Sequence, residues 1–233
     1  MKKVLKVIGA IIVLIFLIYF VYRNIALRFV PSSDLVKDES TSRLYKSIMP
    51  NTDNPEWTTY YFNNNVSLDD IPLEMKYNIA FNNTGTGMSS VEEEKVKLAY
   101  EKTFGNGTYK PVNSFLGGCN TYKYDKTKKE YISYARTTCK PVNVSILSKI
   151  IDANETKKSF NLTVKIAYLD KTSRKVYKTC DKNLTNCSGV IKSNFKEFDE
   201  ANLDNKSYNL HEYKFYYKED NGNYVFDHNK KIK

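Results

Sequence analysis

The stretch FNLTVKIAY, Phe160 to Tyr168, decides the fold class of this chain. Hydrophobic side chains occupy every second position, and Asn161, Thr163 and Lys165 stand between them. Because successive side chains of a strand point to opposite faces, this alternation predicts a half-buried antiparallel strand. A preceding strand, connected through residues 152–158, is predicted from the alternating positions Val142, Val144, Ile146 and Ile150.

A hairpin is predicted further along, in EYKFYYKEDNGNYVFDH. Its Asn-Gly pair at 221–222 is typical of a type I′ turn between two antiparallel strands. That register places Tyr217 opposite Phe226, and Phe215 opposite His228. The second half of the chain is therefore predicted to be mostly β-structure.

Helical patterns come earlier in the chain. SRLYKSIM (42–49) predicts two turns, and SLDDIPLEMKYNIAFNN (67–83) predicts a helix with one apolar face. Pro72 is tolerated only in a first turn, so this helix should begin at Asp69 or Asp70. The face consists of Ile71, Met75 and Ile79.

The strongest helical pattern is SSVEEEKVKLAYEKTFG (89–105). Ser90 and Glu93 have the spacing of a capping box, Glu93 and Lys97 that of an i, i+4 ion pair, and Gly105 supplies a stop. Helices followed by strands give an α+β fold, with two or three helices packed on a curved antiparallel sheet. This element order is similar to the nuclear-transport-factor-like cone.

The N-terminal sequence predicts a membrane anchor. Residues 7–22 carry no charge, Asn or Gln, and with the flanking positions they approach the roughly 20 residues that a spanning helix needs. The predicted span, residues 4–22, contacts the lipid bilayer through Val4, Leu5, Val7, Ile8, Ile11, Ile12, Val13, Leu14, Ile15, Phe16, Leu17, Ile18, Tyr19, Phe20, Val21 and Tyr22. A cleaved signal peptide is the main alternative, although the passable cleavage site VPS (30–32) lies well past the apolar end.

Lysines before the span predict a cytoplasmic N-terminus and a C-terminal domain outside the cell membrane. Three regions follow: an anchor with a short cytoplasmic tail over residues 1–30, a juxtamembrane linker, PSSDLVKDES, over 31–40, and an extracytoplasmic α+β domain over 41–233. The net charge is +10, but residues 1–30 hold five basic residues and no acid, so the remainder carries +5. That excess favours anionic surface polymers and argues against nucleic acid.

Four cysteines are present: Cys119, Cys139, Cys180 and Cys187. Neither neighbouring pair has C-x₂-C spacing, and with two histidines in the chain a zinc site is disfavoured. Outside the cytoplasm disulfides are the expected state. Pairing of neighbours, 119 with 139 and 180 with 187, is the favoured hypothesis, and two other connectivities remain open.

Motifs for catalysis, cofactors or metals are not found, so no catalytic, cofactor-binding or metal-ligating residue is assigned. His211 and His228 lack an evident convergent partner, and His228 is interpreted as a half-buried histidine among aromatic residues. Trp57 and the tyrosines are interpreted as aromatic core, with a carbohydrate-stacking groove as the alternative.

The sequence favours a single-pass, membrane-anchored extracytoplasmic protein of a bacterial envelope that binds or assembles with other envelope proteins. One alternative is an anchored hydrolase that acts on a cell-wall or surface polymer through a carboxylate pair. Another is a secreted soluble domain, released after signal cleavage.

Overall fold

A computed structural model describes residues 32–63, 65–85, 89–135, 142–194 and 198–233. The helices are α1 (Ser32–Lys37), α2 (Glu39–Lys46), α3 (Pro55–Thr58), α4 (Tyr60–Asn63), α5 (Leu73–Asn83) and α6 (Glu93–Phe104). The strands are β1 (Ser90–Glu92), β2 (Ser114–Gly117), β3 (Asn120–Asp125), β4 (Glu130–Ala135), β5 (Val144–Glu155), β6 (Ser159–Asp170), β7 (Lys175–Cys180), β8 (Cys187–Lys192), β9 (Glu212–Asp220) and β10 (Asn223–Lys231). The predicted α+β class is confirmed.

The predicted anchor, residues 4–22 within 1–30, lies outside the described residues. Within those ranges no helix combines the length and the apolar character needed to cross a bilayer. Residues 32–37, predicted as linker, form α1, which packs on the sheet: Leu35 is buried and the Ser32 hydroxyl donates to Asp152 at 2.5 Å.

The strands form two antiparallel sheets, where the sequence predicted one. A four-stranded sheet has the order β1-β4-β3-β2, and β3 and β4 form a hairpin with Asp125 opposite Glu130. A six-stranded sheet is built around β6, which pairs with β5 along one edge and with β9 and then β7 along the other. The smaller sheet is separate from the larger one because its inner face packs on α5. There the ring centroids of Tyr122 and Phe81 are 4.1 Å apart.

β6 confirms the half-buried strand that its alternating sequence predicts, and part of its opposite face is buried as well. The alternating residues from Phe160 to Tyr168 are all buried on the face toward the helices. Ala167, on the opposite face, is buried too, because Phe198, Leu203 and Leu210 cover this half of the sheet. β6 therefore separates a large core from a small one.

Two strand predictions needed correction. β5 continues to Glu155 with an irregularity between Ile150 and Asp152, so the connection to β6 is shorter than predicted. In the C-terminal hairpin Tyr217 does lie opposite Phe226. However, a bulge shifts the register beyond Phe226, and the predicted pairing of Phe215 with His228 is wrong. Asn229 faces Phe215, and His228 faces Tyr216.

The turn of this hairpin agrees with the type I′ prediction, since Asn221 has φ 51° and Gly222 has φ 82°. The first predicted helix is shifted toward the N-terminus: α2 begins at Glu39, behind Asp38, whose carboxylate accepts from the Ser40 amide.

The predicted apolar face of α5 is buried as expected, but its predicted start is wrong. Residues 68–70 form a separate 3₁₀ turn, in which Asp70 accepts hydrogen bonds from Ser67, and α5 begins after Pro72. The capping box of α6 is also wrong, because Ser90 belongs to β1 and pairs with Ile132. The stop at Gly105, with φ 108°, is confirmed.

Candidate functional site

A large cleft lies between the helices and the inner face of the six-stranded sheet. It has a volume of about 660 Å³, within the range of about 300–1,000 Å³ that is usual for ligand sites. Its lining comes from α1, α2, the ends of α5 and α6, and the sheet, including Leu35, Leu44, Ala99 and Phe160. The cleft is therefore large enough to hold a small molecule.

One end of the cleft is polar because three helices finish there. Asn83, at the end of α5, donates from Nδ2 to the Ser47 carbonyl at 2.7 Å and to the Thr103 hydroxyl at 3.0 Å, which joins α5 to α2 and α6. Lys46 and Lys102 lie in the last turns of α2 and α6. Cations there offset the negative ends of the helix dipoles, and this end offers both hydrogen-bond donors and acceptors.

The other end of the cleft is formed by aromatic and acidic groups. Phe160 and Tyr224 pack with ring centroids 5.5 Å apart, and the Tyr224 hydroxyl donates to Glu155 at 2.8 Å. Burial, together with this hydrogen bond, raises the pKa of Tyr224 to about 12. Thr41 on α2 is almost fully buried, and its hydroxyl has no hydrogen-bond partner. A ligand hydroxyl could supply that partner.

The acids of the cleft are Asp38 and Glu155. Asp38 is committed to capping α2, and the hydrogen bonds from Ser40 lower its pKa. Glu155 accepts from Tyr224, as described above. A general acid in a carboxylate-pair hydrolase needs a raised pKa, whereas the pKa of Asp38 is lowered. The arrangement is suited to holding a molecule by apolar contact and a few hydrogen bonds.

The structure shows the predicted pairing for two of the four cysteines. Cys180 and Cys187 form a disulfide between the facing ends of β7 and β8, as the nearest-neighbour hypothesis predicts. Cys119 is disulfide-bonded, whereas Cys139 lies outside the described residues, so the pairing of 119 with 139 stays a prediction.

The six residues inside the disulfide loop are organised by Asp181. Its carboxylate accepts from the amides of Thr185 and Asn186, from the Thr185 hydroxyl and from Asn186 Nδ2. Burial opposes ionisation, but these bonds outweigh it and lower the pKa of Asp181 to about 2. The loop is therefore a hydrogen-bonded structural turn with all of its Asp181 acceptor positions in use.

The two histidines lie apart, in different surroundings. His211 Nδ1 is 3.1 Å from the Lys233 carbonyl oxygen, and burial followed by the nearby Lys231 lowers the pKa of His211. His228 stacks on Tyr216, with centroids 4.3 Å apart, on the outer face of the sheet. Trp57 packs against the large core, as its interpretation as core predicts.

Sequence reasoning missed the cleft. Its lining comes from several segments between residues 35 and 224, so no local motif marks it, and the unpartnered hydroxyl of Thr41 is visible only after folding. Among the described residues, no group of three or more His, Cys, Asp or Glu side chains is arranged to hold a metal ion. Comparison of the chain with protein-family models, with curated proteins and with solved structures finds no match.

Proposed function

We propose that this chain is a single-pass membrane protein of a bacterial envelope whose residues 41–233 form an extracytoplasmic binding domain. The apolar segment at residues 4–22 supports an anchor in the lipid bilayer. The Cys180–Cys187 disulfide supports an oxidising compartment. We also propose that the helices and the sheet have a cone-like arrangement, because the cleft lies between them.

The observation that carries the binding role is the chemistry of the cleft. Its lining combines aliphatic and aromatic side chains, which offer apolar contact, with polar and charged side chains that can fix the orientation of a ligand. Partners of this domain would be other envelope proteins or surface polymers.

Filling the cleft tests this role. Ala99 lines the cleft, whereas the adjacent Leu98 is 59 % exposed on the same helix. We expect native mass spectrometry of protein extracted from its own membranes to show a bound small molecule, which Ala99→Trp removes and Leu98→Trp retains. Equal occupancy in both variants, or none in the wild type, would refute the cleft as the binding site.

Topology is tested separately with an impermeant maleimide on intact cells. Lys206 lies in an exposed turn, so a Lys206→Cys variant should be labelled without lysis, while Lys2→Cys should be labelled only after lysis. Detergent-free fractionation distinguishes the secreted alternative, for which the protein would be soluble and would lack Met1. The hydrolase alternative requires polymer cleavage that Asp38→Asn or Glu155→Gln abolishes.

A further inference from the structure

A second surface lies on the outer face of the six-stranded sheet, opposite the cleft. Because Tyr213, Phe215 and Tyr217 of β9 are buried inward, the residues between them point outward. The β9 residues adjoin outward-facing residues of β10 across the strands. We call this surface the lysine–tyrosine face, and its members are Lys214, Tyr216, Lys218, His228 and Lys230.

Two like charges face each other at one end of this face, beyond the pair formed by Tyr216 and His228. Lys214 pairs with Lys230 in the register of β9 and β10, and both ammonium groups approach the Tyr216 ring, at 5.6 and 5.5 Å from its centroid. Like charges directly opposite each other destabilise a strand pair, and the two cation–π contacts with Tyr216 offset that cost. In the described part of the chain, neither ammonium group is within ion-pair distance of a carboxylate.

Other groups on the same face are partly compensated. The Lys218 ammonium lies 3.6 Å from one carboxylate oxygen of Asp227. The other carboxylate oxygen lies 2.7 Å from His228 Nδ1. Asn161 of β6 lies beside Tyr216, and its Oδ1 is buried without a hydrogen-bond partner. The positive charge that no carboxylate of the described residues compensates is therefore that of Lys214 and Lys230, and the buried Asn161 acceptor adds nothing to the recognition of an anion.

The spacing of the charges indicates an extended ligand. Lys214 and Lys218 are four residues apart on one strand, so their Cα atoms are separated by roughly 13 Å at about 3.3 Å per residue. A single small anion would contact one end of such a row, whereas a linear chain of anionic groups would contact both. The Tyr216 ring is half-buried between the lysines and does not project as an apolar anchor for a membrane.

We propose that the lysine–tyrosine face binds a linear phosphate-bearing polymer that runs along β9, with Lys214 and Lys230 as its contacts at one end and Lys218 as its contact at the other. This surface is independent of the cleft, so the proposal stands or fails without the binding role assigned to the cleft. Attraction is electrostatic, and bound counterions of the polymer are released on association.

The test uses the full-length chain in a neutral detergent, with long-chain inorganic polyphosphate as the probe. Lys214→Gln/Lys230→Gln removes the facing pair. Lys123→Gln/Lys126→Gln is the matched control, because it removes one charge from β3 and one from the turn that follows β3. Lys123 also lies over a tyrosine ring, that of Tyr134, at 5.1 Å from its centroid. Affinity is measured over a series of salt concentrations.

We expect Lys214→Gln/Lys230→Gln to weaken polyphosphate binding at least tenfold. Its log–log salt dependence should become shallower by about 1.4, at about 0.7 per contact for a flexible polyanion. The control should change neither quantity. Equal losses in both double variants would reduce the interaction to net charge and overturn the proposal. It would also be overturned by vesicles of phosphatidylglycerol binding through the same pair as tightly as polyphosphate does, since the partner would then be a membrane surface.

Discussion

Replacement of Asn78 tests most directly how α5 is joined to the smaller sheet and to the segment that follows α2. Asn78 is fully buried, and its side chain makes three hydrogen bonds to the main chain. Nδ2 donates to the carbonyl oxygens of Asn51 at 2.8 Å and Leu116 at 2.7 Å, and Oδ1 accepts from the Asn51 amide at 2.9 Å. One side chain thus joins α5 to β2 and to the segment that leads from α2.

Replacement of Asn78 by Ala removes all three bonds. The two bonds to the exposed Asn51 are worth about 1 kcal/mol each, because water can replace part of what is lost. The Leu116 carbonyl is left with an unused acceptor position, at about 1–3 kcal/mol. We therefore expect Asn78→Ala to lower the free energy of unfolding by about 4 kcal/mol, which is large for a single substitution.

Asn82→Ala is the matched control, one helical turn further along α5. Asn82 is exposed and accepts a single long bond, 3.5 Å, from Asn51, so we expect a change within about 0.5 kcal/mol. Both variants are measured by urea unfolding of the full-length chain in neutral detergent, followed by Trp57 fluorescence. A loss below about 1 kcal/mol for Asn78→Ala, with an unchanged urea dependence, would show that the three bonds do not tie the layers together.

Three further predictions concern the loops and the smaller sheet. Removal of the disulfide by Cys180→Ser/Cys187→Ser should lower the free energy of unfolding by about 2.5 kcal/mol, from the entropy of the short loop that it closes, and thermal unfolding with and without reductant checks this value. Asp181→Asn should flatten the acid limb of the stability curve: the folded pKa of Asp181 is depressed to about 2 from 3.8, so its contribution is complete above about pH 4 and is lost as the pH falls toward 2. Acid titration followed by circular dichroism measures the difference, and identical limbs in both proteins would contradict it. Gly117→Ala should cost about 1–3 kcal/mol in urea unfolding, because a Cβ at Gly117 would lie 2.7 Å from the buried Tyr122 ring, and a neutral result would mean that the ring moves freely.

The predictable parts of this fold are those that local chemistry determines. Alternation in β6, the Asn-Gly turn of the last hairpin and the glycine stop of α6 were all evident, because each depends on neighbours within a few residues. The start of α6 was not. Ser90 satisfies the capping-box pattern, but its backbone pairs with Ile132 in a strand some forty residues away, and a single sequence does not display that partner.

The candidate sites show the same limit. The bulge that follows Phe226 sends His228 to the outer face beside Tyr216, and without it the lysine–tyrosine face would have a different composition. A one-residue shift of register exchanges the faces of every residue beyond it. The cleft depends on segments that are distant in sequence, so composition alone could not reveal it.

The pairing of β6 with both β5 and β9 bears on the order in which the chain folds. The pairing with β5 closes a connection of three residues, and β9 and β10 are joined by a two-residue turn, so both hairpins can form early. The docking of β9 on β6 must instead close a connection of about forty residues, with the greater entropy cost of a long loop. We expect this step to limit the folding rate, with amides of β5 and β10 protected in their own hairpins before those at the β6–β9 seam in pulse-labelling exchange.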